Sequence, residues 1–204
     1  MIYLSHRERQ TRVLGPGLRY ALWVQGCKKR CPGCVFPEGQ PLDQNGTYVA
    51  VDELIGEIMA TQGIRGVTIS GGEPFLQAKP LLKLIKTLRA QTKLDIMVYS
   101  GYQIEELQAK GGDTAEILRH IDLLVDGEYI ESQNTDTAYR GSDNQRIHAL
   151  TPKYRPYLAM MLKAKNRSME FVCNKSGDLF MIGIPAKNFR ENFMKTVEQT
   201  IPMT

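Results

Sequence analysis

The sequence has no long apolar run and no apolar leader. Its N-terminal stretch, MIYLSHRERQTRVLG, carries charges where a secretory signal needs an apolar core. No later run approaches the roughly 20 consecutive apolar residues that a membrane-spanning helix needs. These absences argue against a membrane span and against secretion, and we expect a cytoplasmic protein.

Neither sign of charge is in large excess. The chain carries 26 basic and 22 acidic residues, which leave a formal net charge of +4. This balance does not indicate nucleic-acid binding, so we expect neither nucleic acid nor membrane as a partner. A chain of 204 residues with 42% hydrophobic content can bury a substantial core, and its length favours one compact unit.

Cysteine is scarce and unevenly placed. Three of the four cysteines, Cys27, Cys31 and Cys34, share the stretch GCKKRCPGC, whereas Cys173 lies far downstream. In a reducing compartment, such a cluster more often binds a metal or performs redox chemistry than forms a structural disulfide. The three basic residues at 28–30 would either offset the negative charge of a bound cluster or form a solvated loop face.

The three thiols permit two interpretations. A structural zinc site closes with four ligands, and neither His120 nor His148 lies at finger-like spacing, so zinc would require a distant ligand such as Cys173 or His6. An iron–sulfur cube normally takes four thiolates, and closely spaced cysteines let one loop bind several irons. With three local thiolates one iron would stay open, as metal positions in catalytic sites do.

Apolar periodicity predicts alternating strands and helices. Strands are predicted for YALWVQG, GVTISGGEP, LDIMVYSGY and IDLLVDGEY, and helices for VAVDELIGEIMATQ, LLKLIKTLRAQT, IEELQAK and TAEILRHI. Asp52 is predicted to cap the first helix. This alternation indicates an α/β fold with a largely parallel sheet. The cysteine loop, SGGEP, YSGY and VDGEY all follow predicted strands, where the site loops of such sheets lie.

The remainder of the chain has a different character. The polar stretch SQNTDTAYRGSDNQRIHALTPKYRP is typical of a functional loop or a surface segment. The following SMEFVCNKSGDLFMIGIP predicts a β-hairpin with a Lys-Ser-Gly-Asp turn, and AKNFRENFMKTVEQT predicts a short amphipathic helix.

These motifs together resemble a known family. The pattern Cys-x-x-x-Cys-x-x-Cys after an apolar strand, followed by a strand ending in GGEP, resembles the radical S-adenosylmethionine (SAM) superfamily. The segments LGPGLRYALWVQGC, RCPGC, VTISGGEPF, VYSGY, LVDGEY and YRGSDNQRI occur in the order seen in activating enzymes of anaerobic (class III) ribonucleotide reductase. The resemblance covers about residues 11–148. It implies a partial (β/α) TIM-like barrel, with a radical SAM domain over residues 1–165 and a C-terminal extension over residues 166–204 packed on the same domain.

The resemblance also implies site residues. Cys27, Cys31 and Cys34 would be catalytic ligands of three irons of a four-iron four-sulfur cluster, whose fourth iron SAM would chelate. Residues implied to contact SAM are Phe36, Gly71, Gly72, Glu73, Pro74, Tyr99, Ser100, Gly101 and Asp126. Among these, Glu73 would pair with the methionyl ammonium and Phe36 would pack on the adenine.

The implied activity is reductive cleavage of SAM. The reduced cluster would pass one electron to the sulfonium, giving methionine and a 5′-deoxyadenosyl radical. In the resembled activases this radical removes a hydrogen atom from a glycine of a partner enzyme. The implied partners are therefore a glycyl radical enzyme, which is the protein substrate, and a flavodoxin- or ferredoxin-type electron donor.

Two features depart from the resembled activases. Val35 and Phe36 stand where those proteins commonly have Tyr and Asn, and the tail from about residue 166 is not matched. The tail is interpreted as a cover for a sheet edge or as a partner-recognition element, and Cys173 as a small buried residue. The alternative functions are a radical SAM enzyme acting directly on a peptide or small metabolite, and an iron–sulfur electron carrier. A carrier would normally supply four cysteines and would have no use for SGGEP.

Overall fold

The computed structural model describes residues 1–165, 167–173, 177 and 179–200. This part of the chain forms a mixed α/β fold around a seven-stranded sheet. In chain order the strands are β1 (Ile2–Thr11), β2 (Arg19–Val24), β3 (Thr47–Val49), β4 (Gly66–Gly71), β5 (Asp95–Ser100), β6 (Leu123–Asp126) and β7 (Arg146–Ala149). Across the sheet they follow the order β3-β1-β2-β4-β5-β6-β7. The four central strands, β2, β4, β5 and β6, run parallel, as the sequence predicts.

Helices cross over between the parallel strands and cover one face of the sheet. They are α1 (Val51–Ala60), α2 (Ala78–Gln91), α3 (Ile104–Lys110) and α4 (Gly112–Leu118), and α5 (Leu158–Lys163) follows β7. The main core lies between α1–α4 and the sheet, where Leu54, Ile69, Leu84 and Val98 are fully buried, whereas Met161 of α5 packs in a second cluster with Met97 and Val125. None of the helices in the described residues is long and apolar enough to span a bilayer.

The sequence patterns did not predict the antiparallel strands at the two sides of the sheet. β1 and β3 pair antiparallel on one side, and β7 pairs antiparallel with β6 on the other. β1 carries a charged, half-exposed stretch in which Arg7 and Arg9 both bind Glu57 of α1. In β7 only Ile147 is buried. Neither strand therefore has the apolar run that marks a buried strand.

The prediction that Asp52 caps the first helix is wrong. α1 begins at Val51 after Ala50, and no side chain caps its N-terminus. Val51 is buried and must face the core, which moves Asp52 into the first helical turn. There its carboxylate pairs with Lys83 of α2 at 2.8 Å, with both side chains largely exposed.

The C-terminal part forms the predicted hairpin and helix. β8 (Met169–Cys173) and β9 (Leu179–Gly183) pair antiparallel, and α6 (Phe189–Thr200) follows them. The predicted Lys-Ser-Gly-Asp turn lies, except for its glycine, outside the described residues. Cys173 is exposed on β8, so the prediction that it is buried is wrong. It is the last residue of a hairpin strand whose other residues are half-buried or exposed.

A fully buried ion pair lies at the amino ends of the parallel strands. Arg19 Nη1 of β2 donates to Asp95 Oδ1 of β5 at 2.6 Å, and neither side chain has any exposed surface. Arg19 also donates to Thr68 Oγ1 at 2.6 Å and to the Val67 carbonyl at 2.9 Å. The Tyr154 hydroxyl donates to the second carboxylate oxygen of Asp95 at 2.8 Å. Both charges are thus compensated inside the fold.

Candidate active site

A cleft opens at the carboxyl ends of the parallel strands. Loops that follow parallel strands emerge at the same edge of a sheet and so meet in space. Three such segments, 27–36 after β2, 71–73 at the end of β4 and 99–101 at the end of β5, supply most of the lining. Their lining residues are Cys27, Lys29, Cys31, Cys34, Val35, Phe36, Gly71, Gly72, Glu73, Tyr99, Ser100 and Gly101. All the sequence-predicted site residues except Pro74 and Asp126 thus come together.

Backbone hydrogen bonds fix the path of the cysteine loop. The Gly26 amide donates to the Gly39 carbonyl at 2.8 Å, and the Cys27 amide donates to the Gln40 carbonyl at 3.0 Å. Within the loop, the Cys34 amide donates to the Cys31 carbonyl at 3.2 Å. The loop is therefore tied to the short segment after it, and its thiols are half-buried along one cleft.

The surroundings of two thiols, those of Cys27 and Cys31, favour the neutral form. Burial raises the pKa of Cys27, and the nearby carboxylate of Glu73 raises it further. Burial likewise raises the pKa of Cys31. A thiol with a raised pKa is a poor nucleophile, whereas a coordinated metal ion deprotonates a thiol outright. The donor set therefore suits metal ligation better than nucleophilic catalysis.

The donor set fits a cluster held by one loop. Each thiolate of an iron–sulfur cube binds a different iron, so the thiols need not converge on one point. Among the described residues, no three His, Cys, Asp or Glu side chains are placed to hold a single metal ion. Cys173 and His6, the distant ligands that a zinc site would require, are not among the described residues that line the cleft.

Glu73 provides a buried carboxyl group beside the thiols. Its side chain is 1% exposed and accepts hydrogen bonds from the Phe75 amide at 3.1 Å, the Ser100 hydroxyl at 3.0 Å and the Gly101 amide at 2.8 Å. Burial raises the pKa of Glu73, although these donors oppose the shift. Among the described residues, no basic side chain pairs with it within 4.0 Å. A carboxylate held in this way fits a cationic group of a ligand.

Tyr99 contributes a hydroxyl without a hydrogen-bond partner to the lining. Its hydroxyl is buried and has no hydrogen-bond partner among the described residues. Burial raises the pKa of Tyr99, so the hydroxyl stays protonated at neutral pH. Because an unpaired buried hydroxyl is costly, this group is suited to a hydrogen bond with a ligand in the cleft.

The two glycines at the end of β4 allow the cysteine loop to approach the sheet. The Gly72 amide donates to the Val24 carbonyl at 2.7 Å, and the Glu73 amide donates to the Gly26 carbonyl at 2.8 Å. A Cβ atom on Gly72 would overlap the Gly26 carbonyl, and one on Gly71 would overlap the backbone of Val24. Gly71 also has a φ of 104°, which favours glycine.

We therefore expect Gly72→Ala to displace the cysteine loop from the sheet. The added methyl meets backbone that no rotamer change can move, so iron incorporation should fall several-fold and the free energy of unfolding should drop by about 1–3 kcal/mol. Iron analysis and urea unfolding measure the two effects. Gly56→Ala is the matched control, because a Cβ on Gly56 of α1 meets nothing within 4 Å. That helix substitution should stabilise by about 0.5–1 kcal/mol, and equal effects of the two variants would contradict this interpretation.

Phe36 lines the cleft, whereas Pro74, which follows Glu73, is buried and does not line it. The Phe36 ring lines the cleft and packs so closely on Gly39 that a Cβ there would overlap it. Pro74 is buried and begins a short 3-10 helix, Pro74–Gln77, directly after Glu73. Because its φ is fixed, Pro74 stiffens the turn that presents Glu73, without lining the cleft itself.

Asp126 lies outside the lining of the cleft, and its carboxylate is the buried member of a charged cluster. Its carboxylate accepts two hydrogen bonds from Arg146, at 3.1 and 2.6 Å, and one from the Ile104 amide at 2.7 Å. His148 Nε2 lies 3.1 Å from the same carboxylate. Burial opposes its charge, but the contacts with His148 and Arg146 outweigh burial and hold the pKa of Asp126 well below 3.8.

The lowered pKa of Asp126 predicts a pH dependence of stability. Its contribution is fully present above pH 3.8, the ordinary pKa of the group, and is lost as pH falls through the lower pKa of the folded state. In urea unfolding between about pH 5 and pH 2, Asp126→Asn should reduce the loss of stability on acidification. Asp52→Asn, at the exposed pair with Lys83, is the control and should follow the wild type. An Asp126→Asn profile parallel to the wild type would contradict the assignment.

Several lining residues were not predicted from the sequence. They come from β2, from segments after β6 and from the C-terminal hairpin and its exit, and they include Trp23, Gly127, Tyr129, Gly141, Gln145, Met181, Gly183 and Ile184. Gln145 donates to the Gly127 carbonyl at 2.8 Å and accepts from the Gly141 amide at 2.8 Å, so the RGSDNQRI segment closes one side of the cleft. A glutamine in a polar stretch gives no local signal of this role.

Of the three basic residues in the cysteine loop, only Lys29 lines the cleft. Its ammonium pairs with Glu128 at 2.9 Å and lies 4.3 Å from the centre of the Tyr102 ring. Lys28 and Arg30 are exposed. The solvated-face interpretation therefore fits two of the three, and Lys29 belongs to the site.

Comparisons with known proteins identify the family of the chain. Residues 13–148 match a family model described as a 4Fe-4S single cluster domain. The anaerobic ribonucleoside-triphosphate reductase-activating protein of Escherichia coli (strain K12) is 34% identical over 149 residues, covering 68% of this chain and 92% of that protein. The protein of the same name from Enterobacteria phage T4 is 32% identical over 145 residues, covering 68% and 88%. The pyruvate formate-lyase-activating enzyme of Staphylococcus epidermidis is 36% identical over 138 residues, covering 64% and 54%.

The chain belongs to the 4Fe-4S single cluster domain family. The relatives named above are activating proteins of anaerobic ribonucleoside-triphosphate reductase and of pyruvate formate-lyase, which confirms the resemblance to the radical SAM activases. The description of this family supports an iron–sulfur cofactor.

Proposed function

We propose that the chain cleaves SAM at a four-iron four-sulfur cluster and generates a glycyl radical on an anaerobic ribonucleoside-triphosphate reductase. The observation that carries this proposal is a cleft in which three thiols of one loop lie beside Glu73, a buried carboxylate without a cationic partner among the described residues. A site with an open iron and a buried anion suits a ligand that carries both metal-binding groups and a positive charge.

Cys27, Cys31 and Cys34 would hold three irons of the cluster. The loop that carries them is fixed by its hydrogen bonds to the Gly39 and Gln40 carbonyls, so the thiols are pre-positioned. Lys29 would offset part of the negative charge of a bound cluster, because its ammonium is held at the cleft by Glu128.

The proposed SAM contacts follow the lining of the cleft. Glu73 would accept a hydrogen bond from the methionyl ammonium, and Gly71 and Gly72 would present backbone carbonyls to it at the end of β4. Tyr99, Ser100 and Gly101 would face the ribose or the sulfonium, and Phe36 would pack against the adenine. We propose indirect roles for two residues: Pro74 would orient Glu73, and Asp126 would hold β6 and the Arg146 segment in place.

When bound, the cluster would supply the electron for cleavage of SAM, and the resulting radical would take a hydrogen atom from a glycine of the partner. The residues of this chain would position SAM and exclude water from it. The apolar side chains of Trp23, Phe36 and Met181 line the cleft and limit solvent entry. The buried Ser100 hydroxyl donates to Glu73 and so holds the carboxylate in its orientation.

We propose further features on the same basis. The seven-stranded sheet would be a partial (β/α) barrel, with residues 1–165 as the radical SAM domain and 166–204 as an extension packed on it. The electron donor would be a flavodoxin or ferredoxin. The proposed location is the cytoplasm, because the cluster requires reduced thiols.

A pyruvate formate-lyase is the second candidate partner, favoured by the activating enzyme of Staphylococcus epidermidis among the relatives.

The test is anaerobic reconstitution with iron and sulfide, reduction, addition of SAM and chromatographic detection of 5′-deoxyadenosine. The protein should form 5′-deoxyadenosine in the presence of the partner reductase, and a variant with all three cleft cysteines replaced by alanine should form none. If the protein carries a complete, reduced cluster and still forms no 5′-deoxyadenosine with either candidate partner, the proposal is contradicted.

Glu73→Gln tests the proposed ammonium contact. The amide keeps the size of the side chain but loses its charge, and a hydrogen bond to a charged group contributes about 1.5–3 kcal/mol. The dissociation constant of SAM should therefore rise about 10- to 100-fold, with iron content unchanged. Equilibrium binding of SAM to the loaded protein measures this effect. Glu53→Gln, at an exposed ion pair with Arg7, is the control, and unchanged SAM affinity in Glu73→Gln would show that the contact is misassigned.

A further inference from the structure

The C-terminal hairpin lies beyond residues 13–148, the part of the chain that matches the family. Nevertheless it is firmly joined to the main sheet. Glu170 of β8 accepts hydrogen bonds from the Thr11 hydroxyl at 2.6 Å and from the Arg12 amide at 3.0 Å. Phe180 of β9 stacks on the His6 ring, with 4.4 Å between the ring centres. The hairpin is therefore held in a defined position on β1.

Arg167 supplies a second attachment at the start of the hairpin. Its side chain is 6% exposed. It donates hydrogen bonds to carbonyl oxygens of the segment before α5 and of the segment after β9. The accepting carbonyls belong to Thr137, Arg140, Gly141 and Pro185. Because Gly141 lines the cleft, Arg167 links the extension directly to a wall of the site.

The hairpin also connects the cleft to a neighbouring groove. Met181 and Gly183 line the cleft with the three cysteines, and the same two residues line a groove between β9, β1 and the segment after Cys34. Trp23, Val35 and Phe36 also line both the cleft and the groove. The groove is thus continuous with the cleft, and a bound chain could pass from one to the other.

The groove is apolar and uncharged for most of its length. Val35, Leu179 and Met181 are 42%, 50% and 38% exposed, so the groove presents accessible apolar side chains beside the cleft. Glu38 is the one charged residue among its described lining residues. Burial lowers the pKa of His6, which also lines the groove, so that its ring is neutral at pH 7. An occupant with charged side chains would be desolvated there without compensation.

The backbone of β9 suits an extended occupant. Within the described residues β9 pairs only with β8, so its other edge retains unpaired main-chain groups. Such an edge can accept an added strand through main-chain hydrogen bonds, with side-chain pockets giving specificity.

We propose that this groove receives an extended, uncharged, glycine-containing segment of the partner enzyme, and that β9 guides the segment to the cleft. The inference rests on the proposed function, because it is the radical transfer to a glycine that requires a main-chain segment to reach the cysteine loop. It assigns to the hairpin the recognition of the protein substrate.

Leu179→Glu tests the proposal, because Leu179 lines the groove and not the cleft. In the loaded full-length protein, iron content and SAM affinity should remain those of the wild type. The KM for the reductase in glycyl radical formation, followed by electron paramagnetic resonance, should rise about tenfold or more, since the new charge must be buried on binding. Met160→Glu, a methionine on α5 that is 62% exposed and outside the groove, should behave as the wild type.

Hydrogen–deuterium exchange provides an independent measurement. Addition of the reductase should slow amide exchange in β9 of the wild type and not in Leu179→Glu. Wild-type radical transfer by Leu179→Glu, or unchanged β9 exchange in a productive complex, would overturn the inference and leave the proposed function intact. A wild-type dimer that Leu179→Glu dissociates would show that the groove is occupied by a second copy of the chain. Failure of the wild type to form a radical on any candidate partner would overturn the proposed function, and the inference with it.

Discussion

Cys27→Ser is expected to abolish both cluster binding and SAM cleavage. A three-thiolate site that loses one ligand leaves two iron positions open, and serine is a poor ligand for iron compared with a thiolate. Reconstituted wild-type protein should contain about four irons per chain, and the variant should lose most of them. Formation of 5′-deoxyadenosine should fall to the background of a reaction without protein.

The matched control for this prediction is Cys173→Ala. Cys173 is exposed on β8 and is not among the described residues that line the cleft. Its replacement should leave iron content and SAM cleavage at wild-type levels. If instead Cys173→Ala lost iron as Cys27→Ser does, a four-cysteine site would replace the three-cysteine assignment.

Asp95→Ala should be the most destabilising change away from the cleft. It would leave Arg19 buried with a charge and no ionic partner, which typically costs about 3–5 kcal/mol. It would also remove the acceptor of the Tyr154 hydroxyl. The free energy of unfolding in urea should fall by that amount. If the folded fraction remains loaded, its SAM affinity should be unchanged, because the pair lies at the opposite end of the strands from the cleft.

Two controls separate the charge effect from loss of packing. Asp52→Ala removes an exposed partner of Lys83 and should change the free energy of unfolding by only about 0–1 kcal/mol. The double variant Arg19→Met, Asp95→Leu removes both charges and should recover much of the stability that Asp95→Ala loses. A loss below about 1 kcal/mol in Asp95→Ala would contradict the view that Arg19 depends on this partner.

The sequence predicts the part of the fold that has a strong local signal. β2, β4, β5 and β6 are continuous apolar runs, and their helices have clear apolar periodicity, so the parallel centre of the sheet was predictable. β1 and β7 are stabilised by pairing with a neighbour and by charged contacts with helices, and these contacts are not visible in a local window. The prediction of an Asp52 cap for α1 was wrong for a similar reason, because burial of Val51 decides where that helix begins.

The residues of the candidate site likewise differ in whether a local sequence pattern predicts them. The cysteine spacing and the glycines of SGGEP are local patterns with a direct chemical meaning, and they meet in the cleft. The roles of Gln145 and Met181 depend on long-range folding that brings β7 and the hairpin to the same opening. Asp126 is a case in which a local pattern suggested a site residue that does not line the cleft. It is a strand-end aspartate beside Gly127, but its carboxylate pairs with Arg146.

The most direct test of the central claim follows the hydrogen atom that the proposed reaction removes. The partner reductase would be prepared with α-deuterated glycine and mixed anaerobically with the loaded, reduced protein and SAM. Mass spectrometry of the recovered 5′-deoxyadenosine should show one deuterium per molecule, in step with the appearance of a glycyl radical signal on the reductase. Unlabelled 5′-deoxyadenosine formed without that signal would contradict the assignment of a partner glycine as the substrate.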